Sequence, residues 1–309
     1  MDAQDTLTQA IIAAHQQLSL PNFDRSTVQW SSNSVVYRAA KQASRALGFI
    51  EADAECIAKA WHAMCERTSN VNPAHWPSRA IDFGLRPWPR DDAFAPCPPQ
   101  LGLYAVLPNA AWVGRMALAG VPTVQLRFKS DDAAEVKKEV NAAVESVKGT
   151  DALLFINDHW QAAIDAGAYG VHLGQEDMAT ANLSAIKAAG LRLGLSSHGY
   201  AEMLRADQVS PSYIAMGAVF ATTLKRMLTP PQGTGRLRVY ASIMRDYPTV
   251  AIGGIDTDRL FDVLACGVGA VAVVRALIAA EQPEAVATAL QKSIVDSIKT
   301  SSSQGEDPL

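Results

Sequence analysis

No excess of positive charge runs through this chain: 27 Lys and Arg stand against 31 Asp and Glu, a formal net charge of −4. That balance excludes the broad basic surface that nucleic acid or an anionic membrane needs, so any cationic patch must be local. Cysteine is equally sparse. Cys56, Cys65, Cys97 and Cys266 are scattered without a C-x-x-C pair, which argues against a disulfide framework or structural zinc and fits a reducing compartment. No run of about 18 apolar residues is present, and the opening MDAQDTLTQA has neither the basic nor the apolar segment of a secretory leader. The expectation is a cytoplasmic protein without membrane or nucleic-acid partners. No G-x-G-x-x-G or G-x-x-x-x-G-K-[ST] opens a helix, which removes the dinucleotide and P-loop classes. What remains is a 309-residue chain, 49% hydrophobic, long enough for one large domain and an appendage.

Residues 85–100, LRPWPRDDAFAPCPPQ, hold five prolines, each fixing φ and removing a donor, so neither helix nor central strand can pass. They read as a linker or strap. Before them, residues 1–84 form a helical extension of unassigned role. Val35, Val36, Ala39, Ala40, Ala43, Ala46 and Leu47 recur at helical spacing between Asn33-Ser34 and Gly48, a second stripe runs over 51–67, and residues 3–19 suggest a third helix. His15, His62 and His75 have no ligand-like spacing and read as packing or surface residues.

After the linker, eight short β-branched runs alternate with helical stretches: strands begin near 101, 123, 153, 170, 192, 212, 249 and 270. Helices fall near 110–119, 131–148, 159–167, 178–190, 199–209, 235–246, 256–266 and 284–298. Eight strand–helix pairs predict a (β/α)₈ TIM barrel over 101–298, an α/β fold, with 299–309 as a disordered tail. A barrel keeps its chemistry at the C-terminal ends of its strands. Gln125, Arg127 and Lys129 alternate with Val124, Leu126 and Phe128, so the polar trio should point inward and the apolar trio toward the helices. Asp158 closes the third strand and Asp177 lies just beyond the fourth, so two carboxylates and two cations share one end of adjacent strands. Magnesium suits such a pair, since it takes one or two carboxylates plus waters and phosphate oxygens. The alternatives are a salt-bridge network among these four residues, or Asp158 and Asp177 as helix caps. Asn157 can donate to a phosphate oxygen. The long loop after the sixth strand carries Thr222, Thr223 and Lys225, fit to close over a phosphate. Gly253 and Gly254 after the seventh strand, with Val274 and Arg275 at the end of the eighth, suggest a monophosphate site. Two anion sites imply two phosphorylated small-molecule substrates.

The motifs VQLRFK (124–129), FINDHWQAAIDAGAYGVHLGQEDM (155–178), GLSSHGY (194–200), PPQG (230–233) and AIGGI (251–255) occur in the order and spacing of thiamine-phosphate synthases, which residues 101–280 resemble. The resemblance implies condensation of hydroxymethylpyrimidine pyrophosphate with a thiazole phosphate to give thiamine phosphate and pyrophosphate, assisted by Mg²⁺. It also implies roles: Gln125 for the pyrimidine, Arg127, Lys129, Asn157 and Lys225 for the pyrophosphate, and Asp158 and Asp177 for magnesium. Ser196 matches the serine near the reacting pyrimidine, and Thr222 with Gly253-Gly254 the thiazole-phosphate contacts. Arg127, Lys129, Ser196 and Lys225 are thereby the catalytic candidates, and His172 and His198 sit at family histidine positions. Three positions depart: Phe128 replaces an acid on the outward face, Leu224 removes a hydroxyl from a Thr-x-Thr-Lys loop, and Arg275 replaces a serine. The last two bear on thiazole-phosphate recognition. The expected reaction is dissociative, with cations stabilising the departing pyrophosphate. The rivals are a thiazole tautomerase using a histidine such as His198, and a silent thiamine-precursor sensor whose helical part binds a partner. Homo-oligomerisation stays open.

Overall fold

The computed structural model describes residues 2–21, 24, 26–222 and 229–303. Eight parallel strands close on themselves in sequence order: β1 (Gly102–Leu107), β2 (Thr123–Leu126), β3 (Leu153–Asn157), β4 (Gly170–Leu173), β5 (Arg192–Ser197), β6 (Tyr213–Met216), β7 (Thr249–Ile252) and β8 (Ala270–Val273), with β8 paired to β1. Helices follow the strands, which makes this the (β/α)₈ barrel with a helical N-terminal extension that the alternation of the sequence predicts. Among the described residues no helix is long and apolar enough to cross a membrane.

Period-two alternation puts each strand's residues into two layers. Facing out, Leu103, Ala105, Val124, Leu126, Leu154, Ile156, Val171, Leu193 and Leu195 join the helices in one large core. Facing in, Tyr104, Val106, Phe155, Tyr213, Ala215, Val250, Ala270 and Ala272 fill the barrel. The inward set mixes large rings with small residues. Room for its rings comes from two glycines: the Phe155 ring occupies the space a Cβ would take at Gly170, and the Tyr213 ring does the same at Gly194. Phe128 packs against the outer core, as its outward register requires.

The extension comprises α1 (Ala3–Ala14), α2 (Val35–Ala46) and α3 (Glu51–Thr68). Ser34 caps α2 through the N–H of Tyr37, and Gly48, at φ +80°, ends it. Trp61, Tyr37, Phe49 and Ile57 are fully buried and belong to the same core as the barrel's outer layer. The extension lies beside the barrel, on α9 (Tyr200–Gln208) and α10 (Gly233–Ile243). Phe83 stacks on Tyr200 at 5.2 Å, and Trp76 Nε1 donates to Tyr200 Oη at 2.9 Å. Residues 85–100 form a fixed strap under the N-terminal ends of β5 and β6. The Phe94 N–H donates to Ser210 O, Ser212 Oγ to Ala95 O, and Arg90 pairs with Asp207 at 2.6 Å with both partners buried.

Several boundaries differ from the sequence-based expectation, four of them near the site or at the chain's end. The helix expected over 178–190 is two, α7 (Gln175–Thr180) and α8 (Leu183–Ala188), because Asn182 accepts the N–H of Ala185 and starts a new helix. The strand carrying Gln125 ends at Leu126, though the N–H of Arg127 still donates to Leu107 O at 2.8 Å. β8 ends at Val273, and Arg275 opens a short helix, α12 (Arg275–Ile278). The last helix, α13 (Pro283–Ser303), continues past the expected boundary at 298, and the rest of the tail lies outside the described residues.

Gly194→Ala should force the Tyr213 ring from its place and lower the unfolding free energy by about 1–3 kcal/mol, the usual cost of overpacking. An unchanged urea midpoint would show that the barrel interior does not depend on this gap.

Candidate active site

A cavity of about 750 Å³ opens at the C-terminal ends of the strands. Gln125, Arg127, Lys129, Asn157, Asp158, Asp177, Ser196, Thr222, Gly253, Gly254, Val274 and Arg275 all line it. Thr223 and Lys225 lie outside the described residues.

The floor is a continuous chain of hydrogen bonds through the barrel. Gln125 Nε2 donates to Asn157 Oδ1 at 2.8 Å, and Tyr104 Oη donates to Gln125 Oε1 at 2.9 Å. Tyr104 Oη meets Tyr213 Oη at 2.8 Å, Tyr213 Oη meets His172 Nδ1 at 2.7 Å, and His172 Nε2 meets Ser196 Oγ at 2.8 Å. Each hydroxyl has one proton, so these contacts have a direction. An amide oxygen only accepts, so Tyr104 spends its proton on Gln125 and Tyr213 must donate to Tyr104. Tyr213 then accepts from His172 Nδ1–H, and in a neutral imidazole Nε2 is left to accept the Ser196 proton. Burial makes the chain obligatory, since an orphaned polar atom here costs about 1–3 kcal/mol. It also pushes the Tyr104 and Tyr213 hydroxyls well above the ordinary phenol range, so both keep their protons. At its two ends the chain leaves lone pairs on Ser196 Oγ and the amide protons of Asn157 for a ligand.

Above this floor sit the charges. Lys129 Nζ pairs with Asp158 Oδ2 at 2.7 Å, with the lysine exposed, so the pair contributes little stability. Arg127 is half-buried and has no ion pair among the described residues, so the four-residue salt-bridge network does not form. Asp158 has φ +63°, a left-handed conformation uncommon outside glycine and most tolerated by Asn and Asp. Its N–H donates to His172 O at 3.0 Å, which ties the turn after β3 to β4. The cap of α6 (Trp160–Ala166) is His159, not Asp158, and Asp177 falls in the first turn of α7 behind the cap Gly174, so neither acid occupies an N-cap position. Asp177 is drawn toward protonation by burial, then by the Asp158 carboxylate beside it, against the pull of the Gly174 N–H and Lys129. Two carboxylates side by side are an arrangement that a divalent cation relieves, so the donor set fits magnesium. Among the described residues no cluster of three or more His, Cys, Asp or Glu surrounds a common point.

At the far side Gly253 (φ +108°) and Gly254 (φ +63°) turn the chain where a Cβ would strike Ala218 and the carbonyl of Ala221. Arg259 Nη1 grips Gly254 O at 2.6 Å and also lines the cavity. Exposed Arg275 faces the same end. His198 lines the wall, its Nδ1 2.6 Å from Glu202 Oε2. Sequence reasoning missed Tyr104, Tyr213 and Arg259. Tyr104 and Tyr213 were visible only as tyrosines at inward strand positions.

Residues 103–277 match the family model described as thiamine monophosphate synthase. The chain is 56% identical over 198 residues to the thiamine-phosphate synthase of Neisseria gonorrhoeae, covering 64% of this chain and 97% of that protein. It is 52% identical over 184 residues to that of Serratia proteamaculans, covering 60% and 87%. Among solved structures it is similar to thiamine phosphate pyrophosphorylase from Pyrococcus furiosus, with a TM-score of 0.56 and 30% identity over 64% of this chain and 96% of that one.

The proton directions can be read spectroscopically. Long-range ¹H–¹⁵N correlation should show His172 with its proton on Nδ1, and Tyr213→Phe should destabilise the fold by roughly 1–2 kcal/mol while abolishing that preference. A proton on Nε2 in the wild type would reverse the chain.

Proposed function

Because this chain belongs to the thiamine monophosphate synthase family, and is an enzyme of it, we propose that it condenses hydroxymethylpyrimidine pyrophosphate with a thiazole phosphate, forming thiamine phosphate and releasing pyrophosphate. The observation that carries this reading is the convergence of Arg127, Lys129, Asn157, Asp158 and Asp177 on one cavity whose floor ends in Ser196.

In this reading the pyrimidine lies over the floor, held by Gln125 and by the Ser196 lone pairs, which accept from a ring substituent bearing N–H. Arg127, Lys129 and the Asn157 amide hold the pyrophosphate, with Lys225 joining from the loop after β6. Asp158 and Asp177 would hold Mg²⁺, which would supply charge neutralisation on the pyrophosphate. As the bond to pyrophosphate breaks, negative charge grows on the leaving oxygens, and Arg127 and Lys129 are already placed beside them. The electron-poor pyrimidinylmethyl group is then captured by the thiazole nitrogen. The thiazole phosphate is held at the opposite end by Thr222, Thr223, the Gly253-Gly254 turn, Val274 and Arg275. Arg275 gives that end a cation with a bidentate fork. The pairing of His198 with Glu202 is the one feature that favours the tautomerase reading, since it supplies a base. That reading gives Arg127, Lys129, Asp158 and Asp177 nothing to do.

The test is to incubate the protein with both substrates, with and without magnesium, and to follow thiamine phosphate and pyrophosphate. Product should form only with the metal. Lys129→Ala and Asp158→Ala should each slow turnover by about 10²–10³, the loss expected when one preorganised charge partner is removed. Near-normal rates in both variants, or product without any divalent ion, would sink the assignment.

A further inference from the structure

One buried acid of the extension reaches the barrel where no reaction step needs it. Asp53, in the first turn of α3, is 4% exposed. Its Oδ1 accepts the backbone N–H of Ala201 at 2.8 Å, and the N–H of Tyr200 also bonds to the carboxylate. These are the first donors of α9, which have no partner within the helix. The helix cannot cap itself, because its N-cap residue is Gly199. Gly199 is extended (φ −178°), so its backbone does not require glycine. Space does: a Cβ there would overlap the Asp53 carboxylate. Asp53 thus supplies from the extension the capping oxygen that Ser, Thr or Asp normally supplies locally.

The grip is returned. Arg236, on α10 and 3% exposed, donates from Nε to Leu18 O at 3.0 Å and from Nη2 to Leu47 O at 2.9 Å, with its guanidinium 3.6 Å over the Phe49 ring. A barrel arginine holds two carbonyls of the extension while an extension carboxylate holds two amides of the barrel. Burial pushes the Asp53 carboxyl up to about 6, opposed by the Ala201 N–H and the Arg236 guanidinium and reinforced by Glu202. The capped turn leads directly into the cavity wall. His198 precedes Gly199 and donates its N–H to Glu202 at 2.8 Å, and Ser196, two residues earlier, ends the floor's hydrogen-bond chain.

We propose that Asp53 is a positioning residue: by capping α9 from outside the barrel, the N-terminal extension sets the place of Ser196 and His198 in the active site. The kinetic arm of its test rests on the synthase reading; the spectroscopic arm does not. Asp53→Ala should lower kcat/KM by about tenfold, the scale of a lost cap. Asp53→Asn keeps an acceptor oxygen and should stay within about threefold of wild type. Gly199→Ala should reproduce the Asp53→Ala defect by displacing the carboxylate, and the double variant should be no worse than either single one. In parallel, the His172 imidazole ¹⁵N shifts should move in Asp53→Ala and Gly199→Ala and stay in Asp53→Asn, because His172 reads the position of Ser196. Should Asp53→Ala fail to fold, Gly199→Ala and Asp53→Asn decide alone. Folded variants with wild-type kcat/KM and unmoved shifts, or defects that simply multiply in the double variant, overturn the proposal. A wild type that forms no thiamine phosphate but whose shifts respond as stated would overturn the synthase reading alone.

Discussion

Six polar side chains meet one another in the middle of this barrel, at the floor of its cavity. Asn157, Gln125, Tyr104, Tyr213, His172 and Ser196 come from six of the eight strands, and each satisfies the next. Removing one member strands its neighbours, so the chain fixes the strands at the level where ligands enter. It needs the inward-facing gap at Gly194, without which the Tyr213 ring could not lie across the barrel. The charged residues at the rim are less constrained: Lys129 is exposed, and its partner Asp158 is placed by backbone geometry rather than by packing.

The barrel was legible because strand and helix periods alternate eight times, and the site because strand ends carry its residues. Val124 and Leu126 against Gln125 needed only the two-residue repeat to be assigned to opposite layers. The Tyr104–Tyr213 contact was not legible, because its partners lie 109 residues apart and each tyrosine alone passes for core. The break between α7 and α8 came from Asn182 preferring its own cap to a helix interior, a choice that the apolar spacing of 178–190 does not show. Thr223 and Lys225 lie outside the described residues.

The docking of the extension left still less trace in the sequence. Arg236 binds the carbonyls of Leu18 and Leu47, and Asp53 binds amides at 200 and 201, so on one side of each contact the partner is backbone. Backbone groups are the same for nearly every residue type and offer no pattern to match. The aromatic cluster of Trp61, Trp76, Phe49, Phe83 and Tyr200 supplies the apolar part of the same interface. The family match spans 103–277 and leaves the extension outside it, yet the core of the extension is continuous with that of the barrel.

The left-handed turn at Asp158 restricts which replacements the protein can survive there. Branched or bulky side chains would distort the turn, whereas asparagine suits the same dihedral angles and differs only in charge. Under the proposed magnesium role of Asp158, a lineage drifting away from metal use has an easy first exit through that single change. On that proposal it would leave behind a barrel of unaltered shape, intact floor and docked extension, matching its ancestor in fold but not in turnover.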